Sequence, residues 1–77
     1  MRKKMNLKRA ILLVAHRYGQ RGFAAQSLSE AQECLSKLVA LRTVAEETGD
    51  WDLAEAIDGC GYGDIRMRID TLKLLGR

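Results

Sequence analysis

The stretch SLSEAQECLSKLVALRTVAEETG, residues 27–49, decides the fold. Ser27 followed three residues later by Glu30 is a capping-box pattern. The serine hydroxyl can accept from the Glu30 backbone N–H, and the Glu30 side chain can reach back. From there Leu28, Ala31, Cys34, Leu35, Leu38, Val39, Leu41 and Ala45 recur at helical spacing over a broad arc. The pattern predicts a helix that runs to Thr48 and stops at Gly49, a residue suited to the left-handed C′ position. An arc that wide touches two neighbours, so this helix is expected at the centre of a bundle. Glu33 and Lys37 are placed to form an i,i+4 pair on its wet side. Arg42 sits at the edge of the arc, where its stem can pack while its head pairs with Asp52 or Asp58.

Downstream, Asp50 is a good N-cap for a short helix over residues 51–58, with Leu53, Ala54 and Ile57 inward and Trp51 in its first turn, either a lid on the core or an exposed anchor, the lid being favoured. Gly59-Cys60-Gly61-Tyr62-Gly63 breaks the pattern and reads as a flexible turn. Asp64 then caps a last helix over residues 65–75, whose stripe is Ile65, Ile69, Leu72 and Leu75. Met67 and Leu74 form a second, smaller apolar strip on it. Upstream, a helix over residues 5–18 places Leu7, Ala10, Ile11, Val14, Ala15 and Tyr18 on one face, and Gly19 and Gly22 stop it. Leu12 and Leu13 lie on its other side, among Lys8, Arg9, His16 and Arg17.

Composition agrees. An apolar fraction of 47% with 30% charged residues favours a folded chain over a disordered one. The absence of proline and an aromatic content of only 5% favour helices over a turn-rich β fold. Seventy-seven residues leave no room for a second core. The expected fold class is therefore all-α, a small bundle of three or four helices, with residues 1–77 as one domain and a basic arm over about residues 1–5. The terminal helices carry more apolar surface than so small a core can use, so a homodimer or a partner is expected to cover the remainder.

Charge is segregated. Residues 1–21 hold Arg2, Lys3, Lys4, Lys8, Arg9, Arg17 and Arg21 and no acid, whereas residues 22–63 hold eight acids against Lys37 and Arg42. The net charge of +3 hides this division, which matters more for recognition than the mean. After the basic start the apolar run AILLVA is too short for a secretion signal, and no stretch approaches the ~18 apolar residues of a membrane span. A cytoplasmic location, with Cys34 and Cys60 reduced, is the expectation.

Little in the chain points to catalysis or cofactors. Two cysteines without a CxxC spacing and one histidine make no zinc site. The glycine run lacks both a preceding strand and a following G-K-[ST], so it is no phosphate loop. Asp50, Asp52 and Asp58 miss the ligand spacing of a calcium loop. His16 has no serine or aspartate partner placed by spacing. The expectation is a non-enzymatic protein without metal or cofactor.

Three partial resemblances add to this. TVAEETGDWDLAEAIDG, residues 43–59, resembles the helix-turn-helix of lactose-repressor-type regulators, with V-A-x-x-x-G leading into a second helix. That resemblance implies that Asp50, Trp51, Asp52 and Glu55 face the major groove, where carboxylates are repelled by phosphates. The same stretch is similar to part of a tetratricopeptide repeat, with Gly49-Asp50-Trp51 at the turn and Ala54 at a packing position, which implies a local helix–turn–helix geometry. In size and character the chain is also similar to short accessory proteins of bacteriophages and mobile elements. Many of those bind and block one host protein, as anti-CRISPR proteins do.

The leading expectation is thus a protein-binding module, with Lys8, Arg9, Leu12, Leu13, His16 and Arg17 meeting an acidic protein surface. Leucines supply desolvation and cations steer the partner. The alternative is nucleic-acid binding through Arg2, Lys3, Lys4, Lys8, Arg9, Arg17 and Arg21, with phosphate contacts and little base readout.

Overall fold

The Ser27 hydroxyl accepts from the Glu30 N–H at 3.2 Å, and the chain turns helical at the next residue. In the computed structural model, which describes residues 6–76, four helices follow one another: α1 (Leu7–Phe23), α2 (Leu28–Glu47), α3 (Trp51–Asp58) and α4 (Tyr62–Leu74). The fold is an all-α bundle. The basic arm, including Arg2, Lys3 and Lys4, lies outside the described residues.

α2 packs against all three other helices and is the centre of the bundle. It ends as its glycine predicts. Gly49 adopts φ +77°, its N–H donates to the Glu46 carbonyl at 3.0 Å, and the Asp50 N–H donates to the Ala45 carbonyl at 2.9 Å. This Schellman arrangement satisfies carbonyls that the helix would otherwise leave open. It delivers Asp50 to its next task, accepting from the Leu53 N–H at 3.1 Å as the N-cap of α3.

The core collects Cys34 and Leu38 from α2, Leu53 and Ile57 from α3, and Ile65, Ile69 and Leu72 from α4. Alanines fill much of the rest: Ala15, Ala25, Ala31, Ala45 and Ala54 are buried. Small residues allow the helix backbones to approach closely. Arg42 packs its stem and sets its Nε 3.3 Å from Asp58 and 3.5 Å from Glu46. The buried Nε–H makes no hydrogen bond to either carboxylate, so the pairing is electrostatic. Glu33 and Lys37 both stand exposed and form no bridge with each other.

α1 departs most from the sequence pattern. It starts at Leu7, capped by Asn6, whose Oδ1 accepts from the Lys8 N–H at 2.8 Å. It continues straight through Gly19 and Gly22 to Phe23. Those glycines are not stops; they are the closest-packed positions of the helix. A Cβ on Gly19 would stand 1.7 Å from the Cys60 carbonyl oxygen, and one on Gly22 would stand 2.6 Å from the Ile65 side chain. The inward face is accordingly Ala15, Gly19 and Gly22, flanked by Ile11, Leu12 and Tyr18. That rotates the helix away from the face expected from large apolar residues alone. Leu7 is 75% exposed and Val14 lies at the surface, whereas Leu12 packs on the core.

Other expectations shift in smaller ways. Trp51 is no lid: it is 65% exposed in the first turn of α3. Val39 and Leu75 are also exposed. α4 begins at Tyr62 rather than after Asp64, because Gly61 at φ +110° serves as its N-cap and Asp64 falls within the first turn. The Gly59–Gly61 segment is a tight turn, held by the Cys60 N–H donating to the Ile57 carbonyl at 3.0 Å. Arg68 of α4 ties the α1–α2 loop down, its Nε donating to the Ala25 carbonyl at 2.7 Å.

Two glycine substitutions separate these roles. Gly19→Ala should lower stability by about 2 kcal/mol, overpacking outweighing the gain of ~1 kcal/mol in helix propensity. Gly63→Ala, in open space within α4, should raise stability by about 0.5 kcal/mol. Urea unfolding of both variants checks the pair, and equal effects at the two positions would contradict the packing described.

Candidate interaction face on α1 and the α1–α4 groove

The expected site residues separate once the helix is placed. Arg9, Leu13, His16 and Arg17 share the outer side of α1 and are all exposed. Leu13 stands between Arg9 and Arg17 at successive i,i+4 steps, 41% exposed. Leu12 is withdrawn from this set, because it packs against the buried cluster. Arg21 lies further round the helix, with its guanidinium carbon 5.7 Å from the Tyr18 ring centre.

Lys8 is also withdrawn in part. Its Nζ sits 2.8 Å from Asp50 Oδ2, joining the first turn of α1 to the cap of α3. The hydrogen bond to Asp50 and its charge raise the lysine above its ordinary value. The same bond, with the Leu53 N–H, holds the Asp50 carboxyl below the usual carboxylate range. A single acid therefore caps a helix and neutralises one of the cations expected to meet a partner.

Residues that the sequence reading did not assemble complete the face. Phe23, at the end of α1, is 62% exposed and Met67 of α4 is 69% exposed. Together with Asp64, Arg68 and Thr71 they line a groove of about 330 Å³ between the two helices. A second, shallower depression continues it along α1 past His16, Gln20, Cys60 and Gly61. The floor of that depression is the Gly19–Gly61 contact, so the close approach that builds the fold also shapes the groove. The spacing of Met67 flagged an exposed strip, but Phe23 carried no signal while α1 was expected to end at Tyr18. Leu74 is 88% exposed at the far end of α4 and does not line the groove.

His16, Cys60 and Asp64 share this depression, a set of residue types that can serve acid–base or nucleophilic chemistry. Their arrangement gives no activated nucleophile. The Cys60 thiol, in the turn after α3, donates to the Ala56 carbonyl of that helix at 3.4 Å, and burial pushes it up rather than down. No hydrogen bond joins the three side chains. Cys34 is buried in the core, and its thiol is likewise pushed up by burial. Among the described residues, no cluster of histidine, cysteine or carboxylate side chains is arranged to hold a metal ion. A wider open groove of about 700 Å³ lies between α2 and α4, where Gln32, Ser36, Arg66 and Asp70 mix both charges over Leu35 and Ile69.

The short α3, which corresponds to the second helix of the helix-turn-helix resemblance, turns Trp51, Asp52 and Glu55 outward. That surface is acidic. No helix among the described residues is long and apolar enough to cross a membrane. No family model, curated protein or solved structure matches the chain.

The Lys8–Asp50 bridge gives a pH signature. Because the Asp50 value is depressed, its contribution is present above the ordinary carboxylate value and is lost as pH falls through the depressed one. The raised Lys8 contributes below the ordinary lysine value, and that part is lost as pH rises through the raised one. Asp50→Asn keeps an N-cap acceptor but should flatten both limbs of the stability–pH curve. Both variants lose the bridge at neutral pH, and Asp50→Ala should fall further than Asp50→Asn there because it also loses the cap on the Leu53 N–H. Thermal unfolding across pH distinguishes the two variants.

Proposed function

We propose that this chain is a small non-enzymatic protein-binding module whose outer α1 face takes an acidic protein surface. The observation that carries the reading is Leu13, held exposed between Arg9 and Arg17 on a helix that contains no acid. An exposed apolar residue ringed by cations offers desolvation at its centre and steering at its rim. The adjoining groove, with Phe23 and Met67 on its walls, can receive a protruding apolar side chain of the same partner. A basic, compact binder of this kind suits an inhibitor that masks an acidic site on a larger protein, in the manner of phage and mobile-element accessory proteins. Such a chain would work in the cytoplasm, where Cys34 and Cys60 stay reduced.

A second reading is favoured by the exposure of Arg9, Arg17 and Arg21 on one helix: phosphate contacts along a nucleic acid. Arg2, Lys3 and Lys4, outside the described residues, would add their charge to such contacts. The acidic outer side of α3 limits it to contacts through α1.

The test separates binding from folding. Leu13→Glu and Met67→Glu lie at the surface and should leave helicity and the unfolding midpoint within about 0.5 kcal/mol of the parent. Together they should abolish capture of a cross-linkable partner from bacterial lysate. Leu12→Glu, by contrast, should unfold the chain. Titration of a labelled DNA duplex at low and high salt should show no tight complex. Tight duplex binding with a steep salt slope would instead establish the second reading.

A further inference from the structure

α1 and α3 run side by side and start at the same end of the bundle. At that end Lys8 Nζ lies 2.8 Å from Asp50 Oδ2, and at the other Gly19 faces the Cys60 carbonyl. Lys8 reaches Asp50 from the side of α1 that packs inward, so the two helix starts are neighbours. Asp52 is near enough that its charge also raises Lys8. The first turn of α3 carries Trp51, 65% exposed, with Asp52 beside it and Glu55 one turn along, both exposed. Glu47, at the end of α2, adds an exposed carboxylate just before the turn into α3. None of these three acids pairs with a cation among the described residues. An exposed indole rimmed by unpaired carboxylates is complementary to a cationic segment, whose charges can pair with the acids and stack on the ring.

Such a segment joins the bundle at that same end. Residues 1–5, which lie outside the described residues, hold Arg2, Lys3 and Lys4 and no acid. They meet the described chain at Asn6, the N-cap of α1, two residues before Lys8. A segment that leaves from a helix end is not confined to one face of that helix. Five residues span up to ~17 Å, whereas the eight residues of α3 are about 12 Å long. The first turns of α3 are therefore within reach. We propose that the basic arm folds back over the outer face of α3 in its own chain, one cation stacking on the Trp51 ring and the others meeting Asp52, Glu55 and Glu47. Lys8 on Asp50 already begins this pairing, and the arm continues it. A tethered segment acts at an effective concentration in the millimolar range, so it takes the face ahead of a separate basic peptide or the arm of a second copy. The three cations are then engaged within the chain, and an external polyanion has to displace the acids to use them. The contact is independent of the partner reading, because it is measured on the purified chain alone.

Trp51 is the only tryptophan in the chain, so its fluorescence reads this face alone. Acrylamide, a neutral quencher, should reach the indole of the full chain at low salt roughly half as readily as in Arg2→Gln/Lys3→Gln/Lys4→Gln, since a stacked cation covers one of the two ring faces. Near 1 M salt, where the Debye length falls to ~3 Å, the parent should rise to match that variant. Arg2→Glu with Lys3→Glu and Lys4→Glu should also expose the indole, as should Asp52→Lys with Glu55→Lys. The two sets combined in one chain should restore the protection. Helicity by circular dichroism should be the same throughout, because the arm precedes α1 and both acids are exposed. Should the acid variant lose helicity, the arm variants decide alone. Equal quenching of the parent and the glutamine variant at low salt overturns the proposal, and so does a folded combined variant that stays unprotected. Carbodiimide joins a lysine to a carboxylate in contact with it. It should link Lys3 or Lys4 to Asp52, Glu55 or Glu47 within the monomer, with the Lys8–Asp50 link as reference. Links found only between two chains, or protection that grows with protein concentration, give the arm to a second copy and overturn the contact within one chain.

Discussion

The contact between Gly19 and the Cys60–Gly61 backbone governs the bundle. With no Cβ on either glycine, α1 lies directly on the turn that joins α3 to α4. One turn later the missing Cβ of Gly22 makes room for the side chains of Ile65 and Cys34. Close packing of backbone on backbone recovers dispersion contacts that larger side chains would supply elsewhere. It explains how a chain with so few aromatic residues builds a core largely from alanines and a handful of aliphatic side chains.

That constraint reaches the surface. Turning Ala15, Gly19 and Gly22 inward carries Arg9, Leu13, His16 and Arg17 outward as one strip. It sets the depth of the depression beside His16 and places Phe23 across from Met67. Arg68 reinforces the geometry by fixing the loop after α1 to α4. The surface charge follows helix by helix: cations on α1, acids on α3 and the end of α2. Among the described residues, the Lys8–Asp50 bridge joins the two regions. Arg9 and Arg17 on α1 and Asp52 and Glu55 on α3 are exposed and form no ion pair among the described residues.

How far this was legible differs by element. Residues 27–58 were read almost to the residue, because caps and stops there are chemical signals. Ser27 and Asp50 present side-chain oxygens to open N–H groups, and Gly49 takes up a left-handed turn that other residues resist. The exposed strip on α1 was legible in part. Its cations and Leu13 were named, but Leu12 was counted with them and Phe23 was missed. Both errors have one source, the reading of Gly19 and Gly22 as helix stops. The same source misplaced Leu7 and Val14, since an apolar face counted only from large side chains points the wrong way when the closest contact is made by glycine.

The sequence by itself therefore determined the helices, the central place of α2 and the division of charge along the chain. These depend on local hydrogen bonding, on helical periodicity and on composition. Only the tertiary structure decided which side of α1 is buried, that Trp51 stands exposed and that Asp50 serves Lys8 as well as the α3 cap. A glycine inside a helix pattern has the same local cost whether it ends the helix or admits a neighbour. What settles the choice is whether another backbone comes near enough to need the missing Cβ, and here the backbone of Cys60 does.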